Sequence, residues 1–272
     1  MKKFAKLSLP YLFWMVLLVI IPLLLMIVLA FLDIQGLDFK NASFSLDNFK
    51  TTFTSVYIKA FFESIKFAFI TTIICILIAY PSAYFISRSN LKFKGLILVL
   101  FILPMWSNML LRIQTLNRML LPEGFMNEVF GFSSNIAGTD FSVVLAMVML
   151  YLPFMVFPIY TVLEKIDYSL IEASQDLGAN NRKTFQKVTF PLSLKGVASG
   201  VIMVFLPCAT GFTIPEIMSG GNMILIGTII EQKFKQGVSY NVGSLISIVI
   251  ILIIFLGIYL IGKFDAEGET LL

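Results

Sequence analysis

Glu216 closes a long apolar run of this chain, directly after Pro215 and just before Gly220-Gly221. Charged groups within or at the edge of a membrane are costly, so those present are candidates for handling a solute. Here the carboxylate either holds a cation arriving from outside or is an interfacial acid facing water. Trp106, Tyr151, Phe154, Tyr160 and Phe212 are aromatics close to proline-bearing stretches. Aromatic faces attract alkylammonium groups by cation–π contact; ordinary packing or an interfacial belt is the alternative use of each. Trp106 is set apart by its neighbours Pro104 and Asn108. Proline removes a backbone donor and frees a carbonyl, and freed backbone is tolerated at membrane depth where it lines a cavity. Arg112 opposes a cation site, and either pairs with an acid or faces the outer water. Asp140 reads as a helix N-cap.

Other chemistries lack their residues. There is no histidine, which removes the commonest metal ligand and the usual general base. No G-x-x-x-x-G-K-[ST] phosphate loop occurs, so the chain is not itself an ATPase, and the usual hydrolytic triads have no members to draw on. Cys75 and Cys208 lie far apart inside apolar runs and read as small, reduced fillers. The expectation is therefore no catalytic residue, no metal site and no cofactor bound by this chain.

The elements that must position these side chains are membrane spans. Of 272 residues, 58% are hydrophobic and only 13% are charged, against about 45–50% and about 25% in soluble domains. The chain reads as all-α, a single polytopic membrane domain over residues 1–272 with six spans at 11–32, 64–86, 95–116, 141–163, 197–217 and 241–262. The first run is longer than a signal-peptide core and lacks a small-residue cleavage site, so an uncleaved span is favoured. Lys66 can snorkel to the interface. Residues 33–63 read as external and partly helical toward their end. Met223 to Ile230 is apolar enough to lie on the membrane or dip into it. Prolines in spans three, four and five point to broken helices and a solute route through those spans.

Twelve of the twenty Lys and Arg residues fall on one side of this arrangement and six on the other. By the positive-inside rule both termini are cytoplasmic, including Lys2, Lys3 and Lys6 and the acidic tail Asp265, Glu267 and Glu269. The net charge of +4 is thus a topology signal and not a nucleic-acid surface.

Residues 164–196 are then a polar island on the cytoplasmic side. Leu170, Ala173, Ser174 and Leu177 recur at helical spacing and make one small, mostly apolar face. Gly178 stands where a helix stop belongs, Asn180 or Asn181 can cap the next turn, Phe185 and Val188 form a second apolar edge, and Pro191 ends the segment. A short helix pair with an apolar face and a basic rim is either a docking surface or a solvated loop.

This island resembles a known signature. Glu172-Ala173-Ser174-Gln175-Asp176-Leu177-Gly178, nine residues, then Val188-Thr189-Phe190-Pro191 is similar to the "EAA" loop of ABC importer permeases: EAA, three residues, G, nine residues, I-x-L-P. The spacing matches throughout, with Ser174, Val188 and Phe190 as mild departures. The resemblance implies a type I importer permease fold in a bacterial cytoplasmic membrane. It also implies that Glu172, Ala173, Ser174, Asp176, Leu177, Gly178 and Pro191 couple the chain to a cytoplasmic ATPase that uses ATP and Mg.

Three further stretches resemble the polyamine (spermidine/putrescine) branch of that family: Pro104 to Arg112, Leu152 to Tyr160 with Glu164 to Asp167, and Met218 to Asn222 with Leu225 to Gly227. That branch implies a second, homologous permease subunit, two copies of the ATPase and an external substrate-binding protein. On this reading Trp106, Asn108, Tyr151, Phe154, Tyr160, Phe212 and Glu216 line a polyamine path. Branches carrying iron or phosphonates share much of the pattern. A transporter driven by an ion gradient is the competing class; it would carry mid-membrane acids as relays, and none is present.

Overall fold

The computed structural model describes residues 9–34, 36, 39–52, 54–89, 92–130, 136–237 and 239–264. The N-terminal lysines at 2, 3 and 6 and the acidic tail after 264 lie outside these residues, so their side of the membrane stays an expectation.

Among the described residues the chain is helical apart from one two-residue pairing. In order come α1 (Leu9–Met15), a π turn (Val16–Ile20), α2 (Ile21–Ala30), β1 (Leu32–Asp33), a 3-10 turn (Phe39–Asn41), β2 (Ser43–Phe44), α3 (Asp47–Thr52) and α4 (Ser55–Arg88). Then follow α5 (Lys94–Ile102), a 3-10 turn (Leu103–Trp106), α6 (Met109–Leu120), α7 (Phe125–Phe130), α8 (Asp140–Lys165) and α9 (Tyr168–Asp176). The chain continues through α10 (Asn181–Thr184), a second π turn (Phe185–Thr189), α11 (Phe190–Thr210), α12 (Thr213–Met218), α13 (Ile226–Lys235) and α14 (Tyr240–Phe264). Among the described residues five helices are long and apolar enough to cross a membrane, or six if a bent pair counts as one span.

Two compact units divide the chain, Met1–Phe61 with Ile226–Leu256, and Phe62–Leu225 with Gly257–Leu272. In the first, β1 pairs antiparallel with β2, Leu32 opposite Phe44. The Phe31 ring stacks on Phe44 at 6.1 Å and tilts against Phe49 at 5.6 Å. Ile226 and Ile229 of α13 are buried with Ala60, Ile246 and Ile250. Within the stretch expected to lie on or enter the membrane, Ile226 and Ile229 thus find apolar partners along α13, while Ile224 before the helix is exposed.

In the second unit α4, α8 and α11 build the core. Buried Ala68, Thr71, Thr72, Cys75, Ala79 and Ala83 follow one another at helical spacing along α4, and both cysteines are free and buried. The α8–α11 contact is closer still. A Cβ on Gly196 would stand 2.8 Å from the Pro158 carbonyl oxygen, and one on Gly200 would stand 2.6 Å from Met155 Sδ. Gly196-Val-Ala-Ser-Gly200 is a GxxxG step, which lets helix backbones approach where lipid offers no hydrophobic drive between them. Sequence reading passed over it.

Several boundaries differ from expectation for clear reasons. The third span is not continuous: Lys94–Trp106 and Met109–Val129 meet at 90°. Ser107 and Asn108 between them are extended, with ψ of 155° and 125°. Asn108 starts the new helix by accepting from the Leu110 and Leu111 N–H groups at 2.9 and 3.3 Å. By contrast Pro153 and Pro158 sit inside the unbroken α8, where the neighbouring helix can cover the freed carbonyls. Thr139, and not Asp140, caps α8, accepting from Ser142 N–H at 3.3 Å. The fifth span was expected to start at 197, after a stop at Pro191. Instead Asn181–Thr210 is one helical run. Pro191 falls in the first turn after the π turn, and the wider π register absorbs its missing donor.

Candidate functional site

The polar island folds as a helix–turn–helix. Asp167 caps α9, its Oδ1 accepting from Ser169 N–H at 3.0 Å. That bond and the Ser169 hydroxyl hold the Asp167 carboxyl below its ordinary 3.8. Gly178 ends α9 with φ of +83°. Its N–H donates to the Gln175 carbonyl at 2.8 Å, and Ala179 N–H donates to the Ser174 carbonyl at 3.1 Å. This is the Schellman pattern, which needs a left-handed residue at this position and so favours glycine. Of the two asparagines, Asn180 makes the cap, accepting from Lys183 N–H at 2.9 Å.

The turn is pinned from both sides. Ser174 Oγ and Thr184 Oγ1 are 3.1 Å apart, and Gln175 Nε2 donates to Asn181 Oδ1 at 3.1 Å. Ile171 points inward. On the opposite side Leu170, Ala173 and Leu177 are exposed, Leu177 to 89%. Glu172, Asp176 and Gly178 lie exposed beside them, as do Arg182, Lys183 and Lys187 on the following turns. Half-buried Ser174 faces the turn and not the outer apolar face, so that face is Leu170, Ala173 and Leu177. Pro191 is exposed on the helix beyond.

The aromatic candidates separate into two groups. A small cleft opens where α11 stops at Thr210. Tyr151, Phe212, Gly211, Pro207, Met109 and Pro215 are among the residues lining it. The Gly211 N–H closes on the Pro207 carbonyl at 2.8 Å, and a Cβ on Gly211 would lie 3.9 Å from Tyr151 Oη. A helix C-terminus presents carbonyls and a partial negative charge. The cleft therefore joins an apolar wall, two aromatic rings, the C-terminal end of α11 and the first residues of α12, Thr213 to Pro215; the rings offer faces on which an alkylammonium chain can pack. Phe154 packs on Tyr151 with ring centroids 6.2 Å apart. Glu216, half-buried, follows Pro215 directly, and its N–H donates to the Phe212 carbonyl at 3.0 Å. The end of α12 is tied to the start of α8 through the Met218 carbonyl, which accepts from Gly138 N–H at 3.0 Å and Ser142 Oγ at 3.4 Å.

The remaining candidates stand elsewhere. Trp106 is 88% exposed at the bend before α6. Asn108 spends its side-chain oxygen on the α6 cap. Tyr160 is buried, about 13 Å further along α8 than Tyr151 at 1.5 Å per residue. Arg112 makes no ion pair among the described residues, and its Nε is buried without a hydrogen-bond partner. Met109 and Met147 were missed as lining residues; a methionine in an apolar run carries no sequence signal. Among the described residues no three His, Cys, Asp or Glu side chains converge as a metal site would require.

Comparison with known proteins places these features. Residues 75–264 match the family model "Binding-protein-dependent transport system inner membrane component". The chain is 34% identical over 253 residues to the spermidine/putrescine transport system permease protein PotB of Haemophilus influenzae, covering 90% of this chain and 88% of that one. It is 33% identical over 246 residues to PotB of Escherichia coli K12, covering 88% and 90%. It is similar to a solved bacterial alginate ABC transporter, captured with a periplasmic protein bound to an alginate pentasaccharide, with a TM-score of 0.76 over 97% of this chain at 16% identity. That last likeness concerns the fold alone. Since the family model spans most of the chain, including the helix–turn–helix and the cleft, this protein belongs to the binding-protein-dependent ABC importer permeases, multi-pass inner-membrane subunits that are not themselves ATPases.

Proposed function

We propose that this permease carries polyamines of the spermidine/putrescine class. The observation that bears most weight is the 33–34% identity, over about nine-tenths of the chain, to proteins bearing that name. The chemistry of the cleft is compatible: Tyr151 and Phe212 give a cationic alkyl chain aromatic faces to pack on. Phe154, packed on Tyr151, and Glu216 are assigned to the same path, with Glu216 drawing the cation in, and Trp106 and Asn108 at the bend before α6 to its approach; Tyr160 is buried in the core and is not assigned to it.

In this reading the chain works as one membrane domain beside a second, homologous permease subunit, with both termini in the cytoplasm. Of two ATPase copies that burn ATP with Mg, one docks on the exposed face of α9 and the turn at Gly178, and the other on the second permease subunit. An external binding protein delivers the substrate. Cycles of ATP binding and hydrolysis alternate the path between outward-open and inward-open states.

The test is ATPase activity of the reconstituted complex with spermidine and its binding protein. Stimulation by spermidine, and none by iron or phosphonate with their binding proteins, is the expected result. Stimulation by either of the others in place of spermidine overturns the substrate class. Trp106→Ala and Glu216→Gln should each lower spermidine stimulation while leaving basal hydrolysis unchanged.

A further inference from the structure

The π turn Phe185–Thr189 lies between the exposed α9 face and the membrane-embedded length of α11. Phe190 N–H reaches back five residues, to the Phe185 carbonyl, and Pro191 offers no donor at the next position. The ladder is therefore weakest here, and π turns of this kind gather at functional positions.

One side chain spans the weak point. The Tyr80 ring of α4 packs edge-on against Phe185, with centroids 6.0 Å apart, at the start of the turn. It packs against Phe190, at 5.9 Å, immediately after the turn. Its hydroxyl lies 2.8 Å from Ser193 Oγ, beyond the turn. Ser193 Oγ already donates its proton to the Phe190 carbonyl at 2.8 Å, so Tyr80 is the donor of the shared bond and Ser193 the acceptor. Ser193 is fully buried. Tyr84 adds a second ring against Phe185 at 5.3 Å. Directly after Tyr80 stands Pro81, inside α4, and a helix-interior proline removes a ladder bond and lets the helix bend. Two weakened helices thus meet at one clamp.

We propose that Tyr80 is a positioning residue of the transport cycle, clamping the π turn so that movement of the docked α9 segment is passed to α4. This rests on residues 164–196 being the ATPase-docking segment. If the turn changes register by one residue, Phe185 moves against Phe190 and Ser193, and a side chain fastened to all three must move α4 with it.

Hydrogen exchange on the assembled complex, with and without ATP, tests this. In the wild type both the 168–178 segment and the cytoplasmic half of α4 should respond to ATP. Tyr80→Phe keeps the ring and removes the donor, and Ser193→Ala removes the acceptor. Each should leave the 168–178 response intact and shrink the α4 response about threefold, the effect of roughly one net hydrogen bond. The double variant should do no more than either single, and Tm should stay near wild type. A wild-type-sized α4 response in both variants overturns the clamp while leaving the docking segment assigned. No 168–178 response in the wild type overturns the docking assignment and the clamp with it. A fall in Tm with an unchanged α4 response assigns Tyr80 to stability alone and also overturns the clamp.

Discussion

Asn241 donates from Nδ2 to Oδ1 of Asn48 at 2.9 Å, joining positions 193 residues apart in sequence. Asn48 in turn donates from Nδ2 to the carbonyls of Ala30 and Leu32 at 3.1 and 3.0 Å. Both asparagines are buried. The pair fastens the end of α2 and the β1 strand to the start of α14, and satisfies carbonyls that a helix end leaves open. Asn48→Ala strands several of these groups at once, at about 1–3 kcal/mol for each one left buried without a partner. We expect a lower Tm for the purified protein. Asn48→Leu should be no better, because volume is not what the site lacks. An unchanged Tm in both variants would refute the pairing.

The α8–α11 contact makes a graded prediction. At Gly200 an added methyl meets Met155 Sδ, the end of a flexible side chain, but at Gly196 it meets the backbone oxygen of Pro158. Gly196→Ala should therefore destabilise more than Gly200→Ala, with overpacking on the order of 1–3 kcal/mol. Thermal unfolding of the two variants in detergent gives the order; the reverse order would contradict the close approach at Gly196.

On the segment proposed to dock the ATPase, Gly178→Asp must hold a side chain at φ of +83°. The left-handed conformation costs about 1–2 kcal/mol for a non-glycine residue. Nothing crowds the position itself, so the change should disturb the turn without expelling the protein from the membrane. Glu172→Lys reverses an exposed charge on the same helix. Both should abolish or sharply reduce transport at normal membrane levels, as read by solute uptake and immunoblotting. Normal transport in both, with the ATPase still bound, would remove the docking role.

The Asp167 cap has a pH signature. Its carboxyl is lowered in the folded chain by the Ser169 N–H and hydroxyl, so the folded state binds its proton less readily than the unfolded one. The contribution is present above 3.8 and is lost as pH falls below that value through the lower folded pKa. Amide protection over Tyr168–Ile171 should hold from neutral pH down to that point and then decline. Asp167→Asn retains an acceptor at the cap and should flatten the decline. A decline of the same size in that variant would show that another group controls the helix.

The helix–turn–helix at 167–184 could be read with good resolution because its structure is local. Gly178, Asn180 and the Leu170, Ala173 and Leu177 face depend on residues a turn or two away, and capping rules operate at that range. Pro191 misled because a local stop signal was overridden by a wider turn just upstream. The placement of the aromatics was less legible because it is not local. Tyr151 and Phe212 line one cleft only because α11 stops at Thr210, whereas Tyr160, the same residue type on the same helix as Tyr151, is buried in the core.

What the residue order determined alone was class: a chain 58% hydrophobic reads as membrane spans, and its clustered Lys and Arg supply an expectation for which side faces the cytoplasm. Spacing from Glu172 to Pro191 then carried the family resemblance. Tertiary packing decided where helices break, which aromatics share a cleft and which side chain spans the π turn. A proline, glycine or tyrosine in an apolar run has several allowed outcomes of similar energy, and the neighbouring helix selects among them by covering a carbonyl, tolerating a backbone contact or accepting a hydroxyl proton. Tyr80 illustrates this: its partners lie more than a hundred residues downstream, and only the approach of α11 to α4 turns an interfacial tyrosine into a clamp.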